Sequence, residues 1–158
     1  MQRDQVIQPD GEPGTYDRVT VKDDARVVAV DPAGRIALVE DACYLQGRLF
    51  LLPGGGIAAG EGPTDAAALE CEEETGWCPL GLRLLTVFQP MAALTAATTH
   101  LYLSTDLEQG QPQRDPTEVD MIVKWMLLED AVRSVQDGLI SKAGSPLGIF
   151  LAARSLAP

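Results

Sequence analysis

Short runs of apolar and β-branched residues, rather than long amphipathic stripes, set the hydrophobic pattern of this chain. Runs of this kind, bounded by glycine, proline and aspartate, are typical of strands. The turn signature Asp-Pro-Ala-Gly at 31–34 predicts that the first two strands form a hairpin. In all, the pattern predicts six strands, over residues 26–30, 35–40, 49–52, 82–88, 99–106 and 121–127.

Three segments have a helical pattern instead. The first, 63–75, follows Gly62, begins with proline and stops before Gly76, and these residue types are typical of helix ends. The other two segments cover 128–137 and 146–156. Strands and helices that alternate over one core predict a single α/β layered domain.

Residues 1–22 are polar and contain two prolines and two glycines. We expect an N-terminal arm with one edge strand, either mobile or docked onto a partner subunit, followed by one domain over 23–158. A chain of 158 residues suits one domain, and no run approaches the roughly 20 apolar residues that cross a bilayer. The N-terminus lacks the apolar centre of a signal peptide, so we expect a cytoplasmic protein.

The charge balance narrows the possible partners. Twenty-three acidic residues against twelve basic ones give a net charge of −11, which argues against binding of nucleic acid or of an anionic membrane surface. If the substrate is anionic, a metal cation must supply the attraction. The three cysteines and one histidine suit neither a disulfide framework, nor a thiolate zinc site, nor a histidine-based triad. We therefore expect the chemistry to use carboxylates.

The helix predicted over 63–75 carries three glutamates on one face. At about 100° per residue, Glu70, Glu73 and Glu74 lie together, whereas Glu72 points away. Like charges at this spacing cost a helix about 0.2–0.5 kcal/mol per pair, and no Lys or Arg lies within four positions to offset that cost. The cluster therefore indicates an external cation, and a hard one such as Mg²⁺ or Mn²⁺. On the glutamates alone, an ordinary acidic surface helix explains the pattern equally well.

The wider spacing separates these two explanations. The pattern G-x5-E-x7-R-E-U-x-E-E-x-G-U, where U is a bulky apolar residue, fits at every defined position but one, with Gly55, Glu61, Glu70, Glu73, Glu74, Gly76 and Trp77 in place. This segment resembles the Nudix box, and the chain is similar to the Nudix hydrolases. The resemblance implies an α/β fold, namely an α/β/α sandwich with a mixed β-sheet. It also implies metal-dependent hydrolysis of the diphosphate in a nucleoside diphosphate linked to another moiety.

The same resemblance implies roles for individual residues. Glu70 and Glu74 would bind Mg²⁺ or Mn²⁺, with Glu73 as a further ligand or proton acceptor. Gly54, just before the box, would offer a carbonyl oxygen to the metal. Glu61 would be a structural residue or an outer contact rather than a direct ligand.

Position 69 is the departure from the box. Leu69 stands where the family has arginine, which could pair with Glu73 four residues later and orient it. Leu69 and Gly76 are structural positions of the motif. Because the metal-binding carboxylates are all present we expect an active enzyme, and whether the leucine reduces its activity stays open.

A general base is needed within hydrogen-bond reach of the attacking water, and two sources are open. One is Glu73 on the helix. The other is the acidic segment 115–120, because the ADP-ribose pyrophosphatase branch, which the following strand, helix and glycine turn also resemble, uses a loop acid at this place. We name Glu118 first and Asp120 second, although a solvated acidic loop would explain each of them equally well.

The predicted substrate contacts agree less well with that branch. Pro90 lies where the branch has a proline-rich substrate loop, but the apolar residues 91–97 lack its second proline, its glycine and its terminal glutamate. The arginine expected after Val39 is missing, and Arg48 is the first cation that follows. We assign substrate contact to Gly55, Arg48 and Pro90. The first substrates to consider are ADP-ribose and nucleotide sugars, and the apolar loop favours a less polar second moiety or a different nucleotide.

Two other functions stay open. One is a catalytically weak or inactive Nudix-fold module that binds a nucleotide or regulates; Leu69 and the altered loop favour it, and the intact carboxylates oppose it. The other is a nucleoside triphosphate pyrophosphohydrolase. The resemblance to the ADP-ribose branch further implies a homodimer through the N-terminal arm and a β-face.

Overall fold

Strands make up most of the regular structure in the computed structural model, which describes residues 1–113 and 120–157. Within those residues the strands are β1 (Gln2–Ile7), β2 (Pro13–Arg18), β3 (Asp24–Ala29), β4 (Arg35–Cys43), β5 (Gly47–Leu51), β6 (Gly54–Gly56), β7 (Trp77–Leu80), β8 (Arg83–Phe88), β9 (Thr99–Ser104), β10 (Asp106–Gln109) and β11 (Ile122–Leu127). The helices are α1 (Pro63–Thr75), α2 (Leu128–Gln136) and α3 (Gly144–Leu156). All three predicted helices and all six predicted strands are present, and the run predicted over 99–106 divides into β9 and β10.

Two sheets form the centre of the fold. The mixed sheet has the order β6-β3-β9-β8, in which β3 and β9 are parallel and the other neighbours are antiparallel. The antiparallel sheet has the order β11-β4-β5. Because a tight turn cannot join parallel strands, the chain from β3 to β9 makes a long crossover, and α1 lies within it.

Strand β3 divides the core into two halves. Its side chains Ala25, Val27 and Ala29 pack in the cluster that includes α1. Val28, between them, packs in the cluster that includes α2 and α3. Side chains alternate along a strand with a period of two, so one buried strand supplies apolar groups to both faces. Helices therefore cover both sides, and the predicted α/β/α sandwich with a mixed sheet is confirmed.

Helix α1 has the predicted bounds because local chemistry sets both ends. Proline at the first position has no N–H to leave unsatisfied, and Gly76 ends the helix in the left-handed conformation with φ at 77°. Ala66 and Ala67 are buried against the mixed sheet, and their small side chains let the helix lie close to β3. None of the helices in the described residues is long and apolar enough to cross a membrane.

The hairpin predicted for the two strands on either side of residues 31–34 is wrong, although its turn is present. The turn at 31–34 forms, with the N–H of Gly34 2.9 Å from the carbonyl oxygen of Asp31. Only Val30 and Ile36 then bridge across it, and β3 and β4 enter separate sheets. β9 pairs along the whole of β3 on one edge, and β6 pairs with residues 24–26 on the other, so β4 meets this strand only beyond its end.

The N-terminal arm is a hairpin of two strands rather than a single edge strand. An ion pair between Arg3 and Asp17 at 2.6 Å, and a second of the same kind, join its strands. Cross-strand charge pairs of this type stabilise a hairpin that a hydrophobic pattern does not detect. The hydroxyl of Tyr16 donates to the carbonyl oxygen of Ala93 at 2.5 Å, which attaches the hairpin to the loop before β9.

Replacing Ile149 by alanine tests the core between α3 and the mixed sheet. This side chain is fully buried, so we expect the free energy of unfolding to fall by about 2–5 kcal/mol through lost burial and a residual cavity. Its neighbour Phe150, which is 43% exposed, is the control, and Phe150→Ala should change that energy by about 0.5 kcal/mol or less. Urea denaturation measures both variants, and equal losses would contradict this description of the core.

Candidate active site

Gly54–Gly56 forms β6, an edge strand that pairs with β3. At Gly54 the φ angle is 140°, and a Cβ would lie 2.1 Å from the carbonyl oxygen of Ala25. No other residue fits there without moving the backbone, so the absence of a side chain is what lets β6 lie directly against β3. A pattern of hydrophobic residues cannot reveal such a strand, which is why the sequence does not predict it.

Glu74 reaches this strand from α1. Its Oε2 accepts a hydrogen bond from the N–H of Gly54 at 2.9 Å, and the residue is only 5% exposed. Burial disfavours its charge, and so does the negative end of the helix dipole, since the last turn of α1 holds no basic residue. A cation that binds oxygen at this point would offset both effects.

Glu70 lies one turn earlier in α1, over the next glycine. A Cβ at Gly55 would come 2.7 Å from the carboxyl carbon and from one oxygen of Glu70. The carboxylate therefore occupies the space that a side chain at position 55 would need. The structure thus brings two glycines and two glutamates of the predicted site into direct contact.

These contacts fit a divalent cation that protein and substrate hold together. The donors are oxygens, which hard cations prefer. In residues 1–113 and 120–157, no three Asp, Glu, His or Cys side chains are grouped closely enough to hold an ion on their own. Mg²⁺, however, is usually bound through one or two carboxylates, water and substrate phosphates rather than by a complete protein cage. Glu70 and Glu74 beside the glycine strand meet that requirement.

Other residues of the box support the loop and the helix. The Oε2 of Glu61 accepts a hydrogen bond from the N–H of Ala58 at 2.9 Å and so closes the loop between β6 and α1. Burial raises the pKa of the Cys71 thiol to about 12, so this cysteine stays neutral and is no thiolate ligand. Glu73 is half-buried, and its carbonyl oxygen accepts from the N–H of Gln113 at 3.0 Å.

The outer side of α1 carries the departure from the box. Leu69 is 50% exposed, so its side chain contributes little to the core. Glu72 faces away from β6, as predicted, and lies against Gly110, where a Cβ would come 2.3 Å from its Oε1. A substitution at position 69 therefore leaves the buried face of the helix undisturbed.

Arg48, predicted to contact substrate, binds two carboxylates of the chain itself. Its Nε lies 3.0 Å from Glu40 and its Nη1 3.1 Å from the carboxylate of Asp120, whose carbonyl oxygen also accepts from Nη2 at 3.0 Å. Hydrogen bonds from Lys124, first, and from Arg48 hold the pKa of the Glu40 carboxyl below its ordinary value. Asp120 is thus an anchored residue, while Glu118 lies outside the described residues.

A cavity of about 200 Å³ lies on the α3 side of the mixed sheet. Pro90, predicted to contact substrate, lines it together with Phe88 and other apolar residues. Sequence reasoning missed its charged members, which are Lys22, Asp24, Arg26 and Lys142. Arg26 is only 7% exposed. Burial, and then the charge of Arg26, lower the pKa of the Lys142 ammonium.

Comparison with known proteins gives the class of this chain. The family model of the NUDIX domain matches residues 21–143, and the chain belongs to that family. Members of the family generally use divalent metal ions. A crystal structure of an ADP compounds hydrolase superposes with a TM-score of 0.82 over 96% of this chain and 83% of the other, at 18% identity, and shows that the two folds agree.

Two curated relatives are more similar in sequence. The CMP-5'-(N-acetyl-N-hydroxy-3-aminopropyl)phosphonate hydrolase of Streptomyces rubellomurinus is 30% identical over 146 residues, which is 92% of this chain and 70% of the relative. The ADP-ribose pyrophosphatase of Mycobacterium tuberculosis is 32% identical over 153 residues, which is 95% and 74%. The chain is therefore a Nudix pyrophosphatase, and the resemblance stated from the box is confirmed.

Gly55→Ala tests the contact between the glycine strand and Glu70. The new Cβ would displace the Glu70 carboxylate, so we expect affinity for Mn²⁺ to fall about tenfold or more while the protein stays folded. Gly56→Ala is the matched control. The side chain nearest to a Cβ at this position is that of Lys22, which is flexible and lies 3.2 Å away. Isothermal titration with Mn²⁺ compares the two variants, and equal affinities would contradict a metal-binding role for Glu70.

Proposed function

We propose that this enzyme hydrolyses the diphosphate of a nucleoside diphosphate linked to another moiety, with ADP-ribose and nucleotide sugars as the first substrates. The observation that carries the proposal is the contact of Gly54 and Gly55 with Glu74 and Glu70. The names of the two relatives support it, since one is an ADP-ribose pyrophosphatase and the other hydrolyses a phosphonate joined to CMP.

The metal in this proposal is Mg²⁺ or Mn²⁺. Glu70, Glu74 and the carbonyl oxygen of Gly54 hold it, with Glu73 as a further ligand or proton acceptor. When bound, such an ion neutralises phosphate charge and lowers the pKa of bound water. Glu74 is well suited to this role because its hydrogen bond from the Gly54 N–H fixes the carboxylate relative to the glycine strand.

The general base in this proposal is Glu118, with Asp120 and Glu73 as alternatives. Among the described residues on either side of Glu118, Gln113 is bound to the backbone of Glu73 in α1, and Asp120 is bound to Arg48 in β5. The carboxylate of Asp120 already pairs with Arg48, which makes it the weaker candidate. In this proposal Arg48 holds Asp120 in place, in addition to any contact that it makes with substrate.

The group beyond the diphosphate occupies the cavity beside Pro90. Asp24 and Arg26, which line this cavity, lie opposite Gly56 and Gly54 in the β3–β6 ladder, so the cavity adjoins the glycine strand. Its walls are mostly apolar, in agreement with a second moiety or base that is less polar than a free sugar. Lys142 supplies a cation at its edge.

Assembly and location are part of the same proposal. A homodimer would form through the N-terminal hairpin and a β-face; the hairpin exposes Ile7 (71%) and Tyr16 (45%), apolar surface that a second subunit could cover. The chain has no surplus of positive charge that would direct it to nucleic acid or to an anionic membrane surface. We place it in the cytoplasm.

A substrate panel with Mg²⁺ or Mn²⁺ tests the reaction, with products followed by phosphorus NMR in ¹⁸O-labelled water. Glu74→Gln keeps an acceptor for the Gly54 N–H but removes the charge, so we expect turnover to fall about 100-fold or more. Glu72→Gln, on the opposite face of α1, is the control and should leave turnover unchanged. Full activity of Glu74→Gln would refute the metal assignment.

The same panel separates the two alternative functions. Thermal stabilisation by a nucleotide without any product would indicate a binding or regulatory module. Release of pyrophosphate from a nucleoside triphosphate, without cleavage of diphosphate compounds, would indicate a triphosphate pyrophosphohydrolase. Either result would replace the function proposed above.

Leu69→Arg restores the arginine of the box. An arginine four residues before Glu73 would pair with it at a gain of about 0.2–0.5 kcal/mol, so we expect kcat/KM to rise about twofold. Because Leu69 is half exposed, the substitution should not change the melting temperature by more than a few degrees. Leu69→Gln, which is polar but uncharged, should show no such rise; if it equals the arginine variant, charge pairing with Glu73 is not the cause.

A further inference from the structure

The peptide that leads into the glycine strand crosses from one sheet to the other. β5 ends at Leu51 in the antiparallel sheet and β6 begins at Gly54 in the mixed sheet, so Leu52 and Pro53 connect the two. Leu52 is fully buried. Buried backbone groups that no strand pairs must find other partners, so the bonds of Leu52 show what holds this crossing.

Two side chains from distant parts of the fold satisfy the backbone of Leu52. Its N–H donates to the Oγ of Ser145 at 2.9 Å, and its carbonyl oxygen accepts from the Nη1 of Arg26 at 2.9 Å. Ser145 is 1% exposed and Arg26 is 7% exposed. Loss of either side chain would leave a buried polar group of the crossing peptide without this partner.

Arg26 is itself held rigidly. Its Nε and Nη2 bind the two carboxylate oxygens of Asp24 at 2.8 and 3.1 Å. Its side-chain stem lies against Gly54, where a Cβ would come 2.9 Å from the Cγ of Arg26. One side chain thus contacts both the peptide before the glycine strand and the first glycine within it.

Pro53, which lies between Leu52 and Gly54, links the position of Leu52 to that of the glycine strand. Pro53 has a fixed φ angle and no N–H, and its carbonyl oxygen accepts from the N–H of Val27 at 3.0 Å. Gly54 follows directly, with its N–H on the carboxylate of Glu74. β6 itself consists of three glycines at a sheet edge, with β3 as its strand neighbour, so it brings no side-chain packing of its own.

We propose that Arg26 and Ser145 are positioning residues: by holding the peptide of Leu52 they fix the distance between the glycine strand and the glutamates of α1 at which a divalent ion binds. This inference rests on the proposed function, because it concerns the same metal site. Neither residue belongs to the Nudix box.

Ser145→Ala is the test, with Ser104→Ala as the matched control. Both serines are 1% exposed, and the Oγ of Ser104 binds the carbonyl oxygen of Leu80 at 2.6 Å, near β7 and β10. We expect both variants to lose similar stability toward urea. Only Ser145→Ala should weaken Mn²⁺ binding, about tenfold by titration followed with electron paramagnetic resonance and without nucleotide.

Amide exchange of Gly54, measured by NMR without metal, gives a second readout. Exchange should be faster in Ser145→Ala than in Ser104→Ala at equal global stability, because the bond to Glu74 opens more often. Arg26→Gln removes the donor to the Leu52 carbonyl oxygen and should behave as Ser145→Ala does. It replaces Ser145→Ala in the test if the serine variant does not fold. Unchanged exchange and Mn²⁺ affinity, or equal changes in the Ser104 variant, would overturn the inference.

The two proposals can fail separately. If the unaltered chain binds no Mn²⁺ and cleaves no nucleotide, the proposed function fails, while the exchange of the Gly54 amide still measures whether Ser145 positions the strand. If the unaltered chain is active and Ser145→Ala matches it in Mn²⁺ affinity, kcat and exchange, the positioning role fails and the proposed function stands.

Discussion

The hydrogen bond between the Gly54 N–H and the buried carboxylate of Glu74 is the constraint on which the site depends. On one side it needs a strand without side chains, because Gly54 lies against the backbone of β3. On the other it needs a helix with small side chains, because Ala66 and Ala67 let α1 approach the sheet. A side chain at Gly54 would push β6 away from β3, and a bulkier one at Ala66 or Ala67 would push α1 away from the sheet. These small residues are therefore needed for the Glu74 carboxylate to reach the Gly54 N–H.

The charge of the described residues around the site favours the binding of a cation. The net charge is −11, and two arginines near the site in the described residues are engaged by carboxylates: Arg48 by Glu40 and Asp120, and Arg26 by Asp24. The glutamates of α1 gather at the end of the helix where its dipole disfavours them. A bound divalent ion reverses this local balance, which agrees with the general use of such ions in the family.

Some elements could be predicted because their causes are local. Helix α1 has the bounds given by its first proline and by Gly76, and the helical period alone places Glu72 away from Glu70 and Glu74. The hairpin predicted across the turn at 31–34 is wrong, because the turn signal does not report that β9 pairs along one edge of β3 and β6 along part of the other. Strand β6 could not be predicted from the sequence, because three glycines have no hydrophobic pattern.

The sequence by itself determined the class of protein and the residues of the box, since these depend on residue types a few positions apart. Only the tertiary structure decided that Arg48 engages Asp120 rather than standing free for substrate, and that a cavity forms beside Pro90. It also brought Ser145 to Leu52, 93 residues away in the chain. Such contacts follow from the order of strands in the sheets and from the packing of α3, and local propensity and spacing do not encode that order.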